Sequence, residues 1–234
     1  MIGALAMRDL GMTHDRPRTR RNPPARRDPA AQPDAWTFFR QWLRNPRAMA
    51  ALSPSSRQLA KLMIEQLPEG ARHIIELGGG TGVFTQALLE HGVEPSELLV
   101  VELNEELHQL LRQRFSSVHL VCGDAQELRT IVRGSGFVEQ GQGVDAVVSG
   151  LGMLSMSRGT QRAILDGVFG VLREGGRFIQ FTYGPASPIS RELLNELGLG
   201  VSRAGVAWLN VPPATVYVYS RHRSKAVPAA RSGR

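Results

Sequence analysis

Glu76 stands two residues before the first of three alternating glycines, Gly78, Gly80 and Gly82, with Thr81 between the last two. A glycine turn between a buried strand and a helix brings backbone N–H groups and a positive helix end up to a polar ligand. The spacing departs from the dinucleotide fingerprint Gly-x-Gly-x-x-Gly, whose third glycine would fall at Val83. Glu102 ends the next apolar run, 26 residues after Glu76, where a carboxylate can accept hydrogen bonds from both hydroxyls of a ribose. Asp124, followed by Ala125, closes a third apolar run and offers an acid to an adenine amino group. Together these residues describe a seat for a nucleoside with a charged end.

A second set follows the later strands. Ser149-Gly150-Leu151-Gly152 is a flexible segment after the fourth run, and Leu151, Met153, Leu154 and Met156 offer either an apolar wall or ordinary packing. Enzymes that methylate exocyclic base amines carry Asn/Asp-Pro-Pro-Tyr/Phe at this place, and none of that is present. Tyr183, just past the fifth run, is the candidate catalytic group. Its phenol can accept a hydrogen bond from an amine, help take its proton, or present a ring face to an ammonium. The six histidines lack ligand spacing, so no metal site is expected. Cys122, the only cysteine, is expected as a small buried hydrophobe in a reducing compartment.

Periodicity gives the elements that must position these groups. Strands are expected at 74–77, 98–102, 118–121, 144–149 and 177–182, and helices at 83–91, 105–115 and 161–172. The four glycines within 134–143 read as a surface loop. Alternation of this kind means an α/β fold with a parallel sheet and helices on both faces. Residues 206–211 and 215–219, around Pro212-Pro213, suit an antiparallel strand pair at the sheet edge. Upstream, Ser53 and Pro54 start a helix with the stripe Leu59, Leu62, Met63 and Ile64, ending by Pro68-Glu69-Gly70.

Charge is divided along the 234 residues. Residues 1–64 carry twelve Arg and Lys against four Asp, residues 65–220 eleven basic against seventeen acidic, and the last fourteen residues five basic. An acidic body with basic ends argues against nucleic acid at the active-site mouth and for an anionic lipid surface gripped by appendages. Residues 1–34, with seven Arg and five Pro, have the composition of a disordered arm, and 222–234 that of a basic tail. Between arm and body, residues 35–52 hold an amphipathic helix. Trp36, Phe38, Phe39, Trp42 and Leu43 fill one half of a helical wheel over 36–45, with Arg40 and Arg44 on the other. Aromatics opposite arginine suit a membrane interface, or a lid on the body at 53–221. Met1 to Met7 is apolar but too short and wrongly flanked for a signal peptide, and Met7 and Met12 are alternative starts. No run approaches 18 uninterrupted apolar residues.

Several of these stretches together resemble the bacterial phospholipid N-methyltransferases. They are Trp36 to Arg44 with Ser53-Pro54-Ser55-Ser56, the glycine motif over 76–85, Ser149-Gly150-Leu151, Phe181-Thr182-Tyr183-Gly184-Pro185, and the terminal Pro-Pro-Ala-x-Val at 212–216. The glycine motif is shared with all class I methyltransferases, and the combination is more particular. The resemblance implies the class I methyltransferase (Rossmann-like) fold and S-adenosylmethionine as cofactor, leaving S-adenosylhomocysteine. Glu76 would then hold the methionine amino group, and Gly78, Gly80, Thr81, Gly82, Glu102, Asp124, Ala125 and Ser149 would complete the cofactor site. It implies methylation of phosphatidylethanolamine toward phosphatidylcholine by an enzyme bound peripherally, through Trp36, Phe39, Arg40, Trp42, Leu43 and Arg44, to the inner face of the cytoplasmic membrane. An ornithine lipid as acceptor and an RNA adenine N6-dimethyltransferase are the alternatives. Gly79 replaces a proline common in the family, which is expected to loosen the turn, and the arm before residue 35 lies outside the pattern.

Overall fold

The computed structural model describes residues 54–139, 141–210 and 212–222. The expected arm over 1–34, the amphipathic helix within 35–52, the Ser53 cap and the tail over 223–234 lie outside these residues.

The described chain begins with helix α1 (Pro54–Ile64) and then alternates strand and helix: β1 (Ile74–Leu77), α2 (Val83–Glu90), β2 (Leu98–Glu102), α3 (Glu105–Arg114), β3 (His119–Cys122) and α4 (Leu128–Ser135). It continues through β4 (Val144–Ser149), α5 (Arg158–Val171), β5 (Leu172–Tyr183), α6 (Arg191–Glu196), β6 (Leu199–Ala207) and β7 (Ala214–Arg221). The seven strands form one sheet in the order β3-β2-β1-β4-β5-β7-β6, with the first five parallel and β7 antiparallel to both neighbours. The sheet is therefore the α/β Rossmann-like sheet expected, closed by an antiparallel pair. From β1 the chain winds outward through β2 and β3, then returns to build β4 on the other side. This reversal opens a crevice beyond the carboxyl ends of β1 and β4.

Burial on both faces explains why β1, β2 and β4 are mostly apolar, with Glu76 inside β1, Asp145 inside β4, and Glu102 and Ser149 at the ends of β2 and β4. One core lies beneath α1 and α2 and contains Leu59, Met63, Leu88, Val100, Val148 and Phe181. The other lies beneath α4, α5 and α6 and contains Ile75, Leu77, Leu128, Val147, Leu165 and Leu193.

Three expectations change, and a short helix joins the elements expected. The stretch read as loop from 134 is preceded by helix α4, whose Leu128 and Val132 bury one face one turn apart. Helix α6 is a single capped turn, with Ser190 Oγ accepting from Leu193 N–H at 3.3 Å. Strand β6 begins at Leu199 rather than 206, because a register shift between Arg203 and Gly205 lets a mostly exposed edge strand stay paired with β7. Cys122 is exposed rather than buried, since β3 is the edge strand of the sheet.

Candidate active site

The carboxyl ends of β1 and β4 meet at the switch point. Gly150 N–H donates to Leu77 O, and Gly78 N–H to Val101 O, each at 2.8 Å, so the loops after β1, β2 and β4 are tied together. A Cβ on Gly150 would lie 2.9 Å from the Gly78 carbonyl oxygen. That close approach requires glycine.

Gly82 caps α2 with φ of +82°, and a Cβ there would lie 2.4 Å from the Phe115 ring. Arg114, 5.0 Å over the same ring, donates to Thr81 O and holds the turn from outside. At Gly79 the reason is space. A Cβ would meet Val100 Cγ1 at 2.5 Å and Leu111 Cδ1 at 2.9 Å. The glycine at this position lets Val100 and Leu111 pack against the backbone.

Glu102 is 7% exposed and holds the same turn through its carboxylate, accepting from Gly80 N–H at 2.9 Å and Asn104 N–H at 2.8 Å. Each oxygen keeps a lone pair for a further donor. Glu76 is fully buried on the α1–α2 face of the sheet. Its Oε2 accepts from Thr85 Oγ1 at 2.6 Å, whereas Oε1 has no hydrogen-bond partner. Burial pushes its carboxyl up to about 8; the Thr85 hydrogen bond opposes this, and the Glu102 charge adds to it. Thr81 Oγ1 is a second buried oxygen without a partner.

The other expected cofactor residues follow the ends of β3 and β4 and do not line the cleft above the turn. Asp124 follows β3, two strands from β1, and its oxygens accept from Gln126 N–H and Nε2, both at 2.9 Å, over a short turn that buries Ala125. Ser149 is buried at the end of β4, and its Oγ accepts from Leu151 N–H at 3.3 Å. Alternation along β4 turns Ser149 toward the face of Val147, opposite the face of Glu76.

A cleft opens above the turn, bordered by Gly78, Thr81, Phe84, Gly150, Tyr183 and Asn210. Tyr183 ends β5 with its ring edge-on to Phe181 at 5.5 Å, and Phe181 in turn lies 5.8 Å from Phe84. Burial raises the Tyr183 phenol above its ordinary value of 10, against a smaller lowering from its hydrogen bond with the Asn210 side chain. Behind the cleft, buried Gln180 donates to Leu151 O at 2.9 Å, and Gln161 donates to Met153 O at 2.8 Å and Pro188 O at 3.1 Å. These amides pin the loops after β4 and β5. Met153 lies in the core and only Leu154 of that segment is strongly exposed, so packing accounts for most of the expected apolar wall.

Sequence reading missed Thr85, Gln180 and Asn210. Thr85 closes the glycine motif over 76–85 without a role that its spacing predicts, Gln180 and Asn210 belong to no spaced motif, and each depends on a partner distant in sequence or brought close by a turn.

Among the described residues no group of His, Cys, Asp and Glu could hold a metal ion, and no helix is long and apolar enough to cross a membrane.

Residues 74–176 match the family described as Methyltransferase domain. The chain is 33% identical over 156 residues to an ornithine lipid N-methyltransferase of Singulisphaera acidiphila, covering 65% of this chain and 79% of the relative. It is 35% identical over 92 residues to ribosomal RNA small subunit methyltransferase A of a Synechococcus species, covering 37% of this chain and 29% of that protein. Among solved structures, an O-methyltransferase from Bacillus cereus in complex with S-adenosylhomocysteine superposes with a TM-score of 0.56 at 14% identity, over 80% of this chain and 91% of the other.

Proposed function

We propose that this chain, which belongs to the class I S-adenosylmethionine-dependent methyltransferases, transfers methyl groups from that cofactor to the primary amine of a membrane lipid. The observation that carries the reading is the likeness to an ornithine lipid N-methyltransferase over 79% of its length, reaching well beyond the glycine turn. Phosphatidylethanolamine, on the way to phosphatidylcholine, and an ornithine lipid are the two acceptors in view, and both present an alkylamine. The likeness to the ribosomal RNA enzyme spans 37% of this chain, and the segment after β4 lacks the base-stacking motif.

The residues of the turn fit the cofactor. Glu76 Oε1, buried and unpartnered, would accept from the ammonium, with Thr81 Oγ1 nearby in sequence as a second free polar atom. Glu102 would take the ribose hydroxyls and Asp124 with Ala125 the adenine, while Gly78, Gly80 and Gly82 let the backbone approach. Ser149 would act by shaping the Gly150–Leu151 turn. When bound, S-adenosylmethionine supplies an electrophilic methyl carbon whose C–S bond breaks as the lipid nitrogen forms the new N–C bond, the bonding pair remaining on sulfur.

The protein then has to hold a neutral amine in line and keep water away. At neutral pH the buried Tyr183 phenol is protonated, so it serves through its oxygen lone pair and ring face rather than as a phenolate.

Access from a bilayer is favoured by where apolar side chains are left exposed. Leu103 follows β2, Leu154 follows β4, and Trp208 and Leu209 form the β6–β7 turn, which register places beside the end of β5. All four follow or lie beside the carboxyl ends of parallel strands, the side of the sheet to which the crevice belongs. With the basic ends and the aromatic and arginine composition of residues 36–45, they support peripheral binding to an anionic cytoplasmic membrane face.

The test uses liposomes with phosphatidylethanolamine or an ornithine lipid, the full chain and labelled cofactor. Label enters the lipid, and N-acylation of the lipid amine abolishes it. Equal labelling of the acylated lipid would contradict the reading.

A further inference from the structure

The β6–β7 turn carries a side chain that hydrogen-bonds Tyr183 while its amide oxygen is left without a partner among the described residues. Asn210 is 8% exposed, and its backbone N–H closes the turn on Ala207 O at 3.4 Å. Leu209 N–H donates to Gln58 Oε1 at 2.9 Å, which fastens the turn to α1. The Asn210 side chain borders the cleft with Tyr183, Gly78 and Gly150, yet its Oδ1 is buried without a hydrogen-bond partner among the described residues. Leaving a buried amide oxygen unmade costs about 1–3 kcal/mol. Leucine would fill a similar volume without that cost, so an unmet acceptor at the cleft points to a donor on the ligand.

The transferred methyl offers no N–H or O–H, whereas the acceptor amine does. We propose that Asn210 is the amine-recognising residue of the acceptor site, its Oδ1 accepting the N–H that a lipid amine keeps while its lone pair faces the transferred methyl. This assignment rests on the lipid-amine reading above.

In each round the nitrogen lone pair forms the N–C bond and the C–S pair stays on sulfur; after the first and second rounds the new ammonium releases a proton to solvent, and the third leaves a quaternary ammonium with none to release. A neutral primary amine has two N–H groups, a secondary amine one and a tertiary amine none. Asn210 therefore stabilises the first two transition states and has no hydrogen to accept in the third.

The experiment measures kcat/KM of the full chain on liposomes of phosphatidylethanolamine and its N-methyl and N,N-dimethyl forms, with the matching ornithine-lipid series in parallel. Calorimetry of S-adenosylhomocysteine binding checks each variant's fold. Asn210→Leu should lower the primary-to-tertiary ratio of kcat/KM about tenfold, as loss of one hydrogen bond predicts. Asn210→Asp keeps an acceptor oxygen and should hold that ratio within about threefold of wild type. An equal loss on all three amines, an unchanged ratio in Asn210→Leu, or lost S-adenosylhomocysteine binding overturns the assignment alone. A wild-type chain that labels none of the lipids overturns the lipid-amine reading and this assignment with it.

Discussion

Thr85 Oγ1 donates to Glu76 Oε2 across 2.6 Å inside the protein, and the other oxygen of the same carboxylate accepts nothing. One hydrogen bond does not offset complete burial of the charge, so the folded state favours the protonated acid, with its pKa at about 8 against an ordinary 4.5. The unfolded chain ionises first as pH rises. The associated stability is fully present below pH 4.5 and is lost as pH climbs through 8, by up to about 5 kcal/mol. Thermal melts of the cofactor-free chain should fall from pH 5 to pH 8, and Glu76→Gln should flatten that fall while binding S-adenosylhomocysteine more weakly. A parallel fall in the variant would remove Glu76 as the cause.

Gly82→Ala places a methyl group on a left-handed backbone and against the Phe115 ring. Strain and overpacking together should cost about 2–4 kcal/mol, read as a lower denaturant midpoint. A midpoint equal to wild type would mean that the turn rearranges freely.

Tyr183→Phe retains the ring face and removes the hydroxyl. Turnover on lipid amine should fall about tenfold with S-adenosylhomocysteine affinity little changed, because the hydroxyl is assigned to the acceptor and not to the cofactor. Undiminished turnover would take the hydroxyl out of the mechanism.

Trp208 is 71% exposed and Leu209 59% exposed at the tip of the β6–β7 turn. Insertion of each into a lipid interface is worth about 1.5–3 kcal/mol at full burial. Replacing both with serine should weaken partitioning to anionic vesicles at least about tenfold, as followed by sedimentation. Unchanged partitioning would leave membrane binding to other segments.

Much of the sheet was legible because buried parallel strands are short and mostly apolar: Ile74 to Leu77, Leu98 to Val101 and Val144 to Val148 each announced a strand despite Glu76 and Asp145 within them, and the charged or small residue after each marked the site edge. Helix α4 was hidden because Gly134, Ser135 and Gly136 suggested a loop where the helix in fact ends, with Gly136 at φ +63°. The first half of β6 was hidden because an edge strand with Gly200, Ser202, Arg203 and Gly205 has no apolar alternation to show. In the site, acids at strand ends could be placed by topology. Asn210 could not, since before Pro212-Pro213 it reads as an ordinary turn residue, and its importance comes only from the cleft into which the turn folds it.

The central claim is that the acceptor is a lipid amine. The most direct measurement is a single reaction in which the full chain, labelled S-adenosylmethionine, anionic liposomes of phosphatidylethanolamine and ornithine lipid, and structured RNA compete, followed by separation of the phases. Label should appear in the lipid fraction as N-methylated head group, with background label in RNA. Label in RNA with none in lipid would contradict it.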